Sequence, residues 1–372
     1  MSKVIKYQLI VLFLTILILP FLNDGLNFIH YERKDENRRF RDSLSISVSR
    51  LDAFPKEAEE YINDNFSFRE PLLITFPLIK FYGFNTSPKP EHTIIGQDGW
   101  MFMAKQEVDC FMGKEDFSDA QLDSLNVIWR KRKSYFDSKK IKFYWLIPPI
   151  KHSVYSSKLP FNIVKSKSIS RVEQVEQKLK DGLPKFMIDP SIQLRKSIDK
   201  QKVFYKMDNH WNFRAGWIAS KQLLNRISKD FPQINSDIDL QWKDTILQTG
   251  IHYNVIGIKK LSEFDYVPKI TNRSAVEVEK FDFQWPDDFA YFWEYERHFM
   301  NPQAKNKLKI LVIRDSFGEQ MMPFITEKFS ESLFIFDAWK YGLNEEIVET
   351  YQPDIVVYVT VENLIESLIR QD

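Results

Sequence analysis

Short apolar runs alternating with amphipathic stretches dominate the chain from residue 119 onward. Residues 119–139 repeat apolar positions at helical spacing, with Ser118 or Asp119 available as a cap. Residues 142–147 (KFYWLI) form an apolar run ended by prolines, which predicts a buried strand. The alternation continues with a helix over 169–181, a strand over 186–188, a helical turn over 193–198 and a strand over 203–205. It ends with a helix over 213–229, a strand over 308–313, a helix from about Glu319, and strands over 333–336 and 355–360. Such an order predicts the α/β class, a parallel sheet with helices on both faces. Upstream, residues 51–82 read as helical, with Pro71 and Pro77 limiting continuity. Residues 87–99 read as loop and turn, and 100–102 as a short strand.

The N-terminus departs from this rhythm. Lys3 and Lys6 precede an uncharged run over residues 7–23, about the minimum needed to cross a ~30 Å hydrocarbon layer. No small-x-small cleavage site follows it, so the run reads as an uncleaved N-terminal transmembrane helix, in preference to a secretory signal. The lysines place the N-terminus in the cytoplasm, which predicts a single pass through the inner (cytoplasmic) membrane and a periplasmic or otherwise extracytoplasmic body. The expected division is an anchor over 1–24, a linker and helical segment over 25–86, and a main domain over 87–372. Residues 32–42, dense in charge, are the exposed linker. An insertion at about 231–300, rich in Trp, Phe, Tyr and Asp, lacks a helical period. It reads as a lid or polymer-binding surface, or as an irregular excursion packed on the core.

Composition narrows the function classes. Hydrophobic residues at 44% and charged residues at 28% describe a folded chain. The 52 basic and 51 acidic residues leave a net charge of +1, so nothing points to nucleic acid. Cys110 is the single cysteine, which excludes an intrachain disulfide and a cysteine-based metal cluster.

Two local patterns carry chemistry. Ile313-Arg314-Asp315-Ser316-Phe317-Gly318-Glu319 lies where a buried strand turns into a helix. A serine there projects from the C-terminal edge of the sheet, beside helix-start amides able to hold an oxyanion. The same letters also spell an S-x-x-E capping box through Ser316 and Glu319. Met207-Asp208-Asn209-His210-Trp211-Asn212 lies between a short strand and a helix. Histidine there suits the base that a serine nucleophile needs, and a carboxylate two residues away can orient the ring. A helix cap at Asp208 or Asn212, a structural histidine, and a metal pair are the competing readings; two ligands alone do not make a metal site.

With these motifs in place, the chain resembles the alginate O-acetyltransferase family typified by AlgJ and AlgX. The resemblance spans roughly residues 37–370. Glu36-Asn37-Arg38 resembles the family's entry segment, and Asp64-Asn65-Phe66-Ser67-Phe68-Arg69 its D-x-F-x-x-R element. Residues 95–102 (IGQDGWMF) resemble IGKDGWLF, and residues 147–155 (IPPIKHSVY) the P-x-K-x-x-x-Y loop. Asp208-Asn209-His210-Trp211 is similar to D-x-H-W, Asp315-Ser316-Phe317 to GDSF, and Pro353-Asp354-Ile355-Val356 to the start of the last strand. The resemblance implies an SGNH-hydrolase-like fold with permuted motif order, and acetyl transfer through an acetyl-serine. Ser316 is the implied nucleophile, His210 the base and Asp208 its orienter. It further implies a polysaccharide acceptor and a polytopic membrane-bound O-acyltransferase as acetyl supplier; no cofactor or metal is expected.

Arg314 departs from the family glycine, and its guanidinium is a candidate substrate contact. Lys151, for an anionic sugar or carbonyl oxygen, and Trp211, for stacking on a sugar ring, are the others. Tyr155, Tyr358 and Glu362 are further cleft candidates. The chain ends soon after the final strand, which favours the AlgJ-like architecture. Two rival functions share these residues: an acetylesterase using the same triad, and a non-catalytic polysaccharide-binding or assembly protein.

Overall fold

The computed structural model describes residues 3–26, 28, 43–44, 51–66, 68–167, 169–179, 186–258, 261–283 and 295–369. The expected linker over 32–42, the Glu36–Arg38 segment, the last positions of the predicted 169–181 helix and parts of 231–300 lie outside the described residues. The chain divides into two compact units, Met1–Pro88 and Lys89–Asp372.

The first unit holds α1 (Lys3–Leu26), α2 (Phe54–Asn65) and α3 (Arg69–Leu78), the last running into a π-helical turn over Ile79–Gly83. In α1 the side chains of Val4, Ile5, Leu9, Ile10 and Phe13 are exposed. Among the described residues no helix is long and apolar enough to cross a membrane.

In the second unit the strands are β1 (Thr93–Ile95), β2 (Met101–Met103), β3 (Lys142–Leu146), β4 (Met187–Ile188), β5 (Leu240–Leu247) and β6 (Glu263–Ile270). They continue as β7 (Val276–Glu277), β8 (Glu296–Met300), β9 (Lys309–Arg314), β10 (Glu331–Phe336) and β11 (Ile355–Val359). Its helices are α4 (Gln106–Met112), α5 (Asp119–Ser138), α6 (Lys151–Val154), α7 (Arg171–Lys178), α8 (Ser191–Ser197) and α9 (Phe213–Ile227). After them come α10 (Ile251–Ile256), α11 (Met322–Ile325) and α12 (Glu345–Tyr351).

Seven strands form the central sheet in the order β4-β3-β11-β9-β10-β8-β7. The first five run parallel, as the apolar strands with intervening helices predict. Period-two alternation sorts each strand between two cores. On one face Tyr144, Leu146, Ile310, Val312, Val357 and Val359 meet Ala215, Ala219, Leu223 and Leu224 of α9. On the other, Phe143, Trp145, Leu311, Ile313, Val356 and Tyr358 meet Leu125 and Trp129 of α5, Val175 of α7 and Val348 of α12. The predicted helices on both faces are therefore present. The cap of α5 is Ser118, which forms a capping box with Gln121.

Four expectations are corrected. The sheet is mixed, because β8 pairs antiparallel with β10 and β7 with β8. Both strands come from the 231–300 region, which is thus part of the sheet and of the separate β5-β6 hairpin, in place of an irregular excursion. The expected strand over 203–205 is a single bridge between Phe204 and Trp211. The helix expected from Glu319 starts earlier, as a 3-10 turn over Ser316–Met321 that leads into α11.

Gly216 of α9 marks where this helix meets that turn: a β-carbon there would lie 2.3 Å from the Gln320 carbonyl oxygen. A backbone atom cannot swing aside as a side-chain end can. Gly216→Ala should lower unfolding free energy by about 1–3 kcal/mol, as read from urea denaturation.

Candidate functional site

Two loops meet at the C-terminal edge of the sheet. One follows β9 and carries Ser316; the other precedes α9 and carries Asp208 and His210. His210 Nε2 lies 2.6 Å from Ser316 Oγ, and its Nδ1 lies 2.6 Å from Asp208 Oδ1. The three side chains predicted from separate motifs thus form one hydrogen-bonded chain. The His210 side chain is 13% exposed, so the ring is reachable from solvent at its rim.

Asp208 is held on all sides. Its Oδ1 also accepts the His210 amide at 2.9 Å, and Oδ2 accepts the Ile251 amide at 2.8 Å. Burial pushes the Asp208 carboxyl up, but bonds from the His210 ring and from the two amides outweigh it and hold the group well below its ordinary range. For His210, burial opposes the imidazolium, while the bond and charge of Asp208 outweigh burial and raise the pKa. Asp315 and Glu107 add smaller pulls in the same direction.

The loop bearing Asp208 is fixed by buried polar groups that the sequence did not reveal. Lys151 is fully buried, and its Nζ donates to the carbonyls of Met101 (2.5 Å), Lys206 (3.0 Å) and Asp208 (3.0 Å). An ammonium has three donors, one for each of these oxygens. Nζ also lies 5.1 Å from the Trp100 ring centroid and 5.2 Å from that of Phe102. Burial pulls the Lys151 pKa down to about 7. Glu263 of β6 serves the opposite sense, accepting the amides of Lys206 (3.0 Å) and Met207 (2.6 Å). Asn212 caps α9 by accepting from the amides of Arg214 and Ala215, which settles the cap in favour of Asn212 over Asp208.

The Ser316 turn is organised by Asp315, also missed. Its Oδ1 accepts the Phe317 amide at 2.8 Å, and Oδ2 accepts the Val361 amide at 2.6 Å and the Tyr341 hydroxyl at 2.9 Å. Burial raises the Asp315 pKa against those three bonds. The S-x-x-E pair is accordingly no capping box. Asp315 caps the turn, the Ser316 hydroxyl goes to His210, and Glu319 pairs with Arg297 (3.0 Å) and Arg314 (3.0 Å). The expected helix-start amides are partly used up as well: Phe317 and Gly318 both donate to Asp315. Among the described residues the Ser316 amide makes no hydrogen bond, and it remains available beside its own hydroxyl.

The three expected substrate contacts are corrected. Lys151 spends its donors on main-chain carbonyls and reaches no surface. Trp211 is fully buried, with its indole N–H on the Phe317 carbonyl at 2.8 Å. It packs edge-on against Phe317, whose ring centroid lies 5.1 Å from that of His210. Arg314 is 2% exposed and folds back onto Glu319 and the Asp315 carbonyl. Its side chain fills the space a β-carbon would need at Gly318, where Arg314 Cδ would lie at 2.5 Å. Tyr155 stacks on Trp100 and accepts the Val203 amide, and Tyr358 is core; neither lines this site. Among the described residues no cluster of three or more His, Cys, Asp or Glu could hold a metal ion.

Residues 93–281 match the family described as SGNH hydrolase-like domain, acetyltransferase AlgX. The matched range contains Asp208 and His210 and stops before Ser316. No curated protein sequence matches. Among solved structures, similar chains include PatB1 of Bacillus cereus, 17% identical, covering 74% of this chain and 97% of that one, with a TM-score of 0.47. The O-acetyltransferase domain of Pseudomonas putida AlgJ is 12% identical, covering 74% and 92%, with a TM-score of 0.48. AlgX of Pseudomonas aeruginosa is 14% identical, covering 76% and 63%, with a TM-score of 0.46.

Lys151→Met keeps the bulk of the side chain and removes all three donors. It should destabilise the chain by at least about 2 kcal/mol, since the Met101 and Asp208 carbonyls are orphaned at ~1–3 kcal/mol each, while the Lys206 carbonyl keeps the Met101 amide at 3.0 Å. Urea unfolding reads that loss.

Proposed function

The chain belongs to the family of SGNH hydrolase-like acetyltransferases represented by AlgX, and on that premise we propose that it is a serine-dependent O-acetyltransferase acting on a polysaccharide. The observation that carries the reading is the Asp208–His210–Ser316 relay, with both links at 2.6 Å. In the proposed reaction His210 Nε2 takes the Ser316 proton as Oγ attacks the acetyl carbonyl of the donor. The Ser316 amide stabilises the developing oxyanion. Collapse expels the donor's leaving group, which takes the proton from His210, and leaves acetyl-Ser316. A sugar hydroxyl then gives its proton to His210 as its oxygen attacks the acetyl carbon. Collapse releases the acetylated sugar and returns the proton to Ser316. Asp208 holds the ring tautomer and offsets the imidazolium charge.

The setting belongs to the same proposal. The lysines before the uncharged run over residues 7–23 support a single-pass inner-membrane anchor with the body outside the cytoplasm. A site so placed would draw acetyl groups from a polytopic membrane-bound O-acyltransferase, since acetyl-CoA stays in the cytoplasm. An esterase would use the same relay, with water replacing the sugar.

Two outcomes check this reading. Offered a chromogenic acetyl ester with an oligosaccharide, the protein should yield acetylated sugar, and Ser316→Ala should yield none. Release of acetate alone, even with abundant sugar, would identify an esterase. The pH profile supplies the second. The base must be neutral, and the His210 pKa is raised above 6.5. Activity should fall as pH drops through a midpoint above 6.5. Asp208→Asn should lower kcat by a factor on the order of 10⁴ and move that midpoint down. A midpoint unmoved by Asp208→Asn contradicts the assignment.

A further inference from the structure

The sheet edge carries a second polar groove that the proposed chemistry does not use. Its volume is about 510 Å³, within the ~300–1,000 Å³ range of small-molecule sites. It opens past the ends of β3, β4 and β11, where Ser153, Asp189 and Glu362 line it. β4 is three strands from β9 in the sheet order, so at ~4.8 Å per strand the groove's far end lies ~15 Å along the edge from the Ser316 turn. The four-residue α6 serves both places. Lys151 at its start reaches the Asp208 carbonyl, and Ser153 two residues on reaches Glu362.

Glu362 is the informative member. The residue is 5% exposed, and one carboxyl oxygen accepts from Ser153 Oγ at 3.0 Å and from the Ile150 amide at 3.4 Å. The other oxygen makes no hydrogen bond within the described residues, and Glu362 lines the groove. A buried carboxyl left open on one side is matched by a ligand group that both donates and accepts, as a hydroxyl does. Burial raises the Glu362 pKa against the two bonds it accepts, which adds donor character. Lys165 and Arg195 stand around the rim with Glu173 and Glu176, and Asp189 adds one further acidic group. Such a lining disfavours an anionic chain and favours a neutral one. Val164 and Ile192 supply exposed apolar walls for the carbon face of a ring.

We infer that this groove is a distal subsite for a neutral, hydroxyl-rich glycan, holding sugar units a few residues along the acceptor from the one that is acetylated. The inference rests on the acetyltransferase reading for the identity of the acceptor; the groove's selectivity for hydroxyls rests on its own lining. A polymer bound here is tethered near Ser316, which favours long acceptors over short ones.

The test uses the full chain with Ile192→Trp and Val164→Trp, which fill the groove from positions 51% and 62% exposed and so spare the fold. Glu362→Gln probes the carboxyl. Acceptors are an unacetylated neutral β-linked octasaccharide, the matching disaccharide and a uronate octasaccharide. The tryptophan variants should raise KM for the neutral octasaccharide about tenfold. Disaccharide transfer and chromogenic ester hydrolysis should stay unchanged. An unchanged octasaccharide KM, an equal rise for the disaccharide, or preference for the uronate would each overturn the proposal. Calorimetric binding of the neutral octasaccharide to Ser316→Ala, weakened by adding Ile192→Trp, reads the groove even if the chain transfers no acetyl group. No binding there would sink the subsite by itself.

Discussion

A single buried ammonium governs the edge on which the site is built. The chain from Lys206 to Asp208 lies outside any sheet ladder, and its carbonyls must find donors away from water. Lys151 donates to those of Lys206 and Asp208, and the same nitrogen donates to the Met101 carbonyl, so three distant segments converge on one charge. Glu263 completes the loop by accepting its amides. With donors and acceptors both satisfied, Asp208 has one position open to it, and the His210 ring follows from Asp208.

The Ser316 turn obeys the same logic with opposite charge. Asp315 gathers the amides of Phe317 and Val361 and the hydroxyl of Tyr341, tying the end of β9 to the segment after β11. Arg314 then lies flat over Gly318 and pairs with Glu319, which explains how a large side chain is accommodated beside the serine. Trp211 joins the two loops through the Phe317 carbonyl. The site is thus two rigid loops bridged by an indole, with the imidazole between them.

Much of this was legible in the sequence, for physical reasons. Strands β3, β9, β10 and β11 are short apolar runs bounded by polar or turn residues, and α5 and α9 carry helical periodicity. Asp208, His210 and Ser316 were legible as candidates because each lies next to a strand or helix boundary, and the resemblance to the acetyltransferase family singled out their roles from the capping and metal readings. The supporting residues were hidden. A lysine is almost never fully buried, so Lys151 reads as a surface cation until its three carbonyl partners are known. Asp315 reads as one letter of a serine motif, although its work is done through Val361 and Tyr341, far along the chain. The 231–300 region defeated periodicity because β8 is specified by pairing with β10, a contact between distant stretches. Glu263 and Asp265 of that region brace the Asp208–Asn212 loop through Met207 and Asn212, so it contributes scaffold where a lid was one expectation.

The proposed acetyl transfer turns on a proton leaving Ser316 for His210 so that the oxygen can carry an acetyl group. Rapid quenching of the protein with an activated acetyl ester, followed by mass spectrometry of its peptides, tests this most directly. One acetyl group on the peptide containing Ser316, discharged by added oligosaccharide and absent in His210→Ala, is the predicted result. Steady acetyl transfer with no acetylated Ser316 peptide at any quench time, and with undiminished turnover in Ser316→Ala, would contradict it.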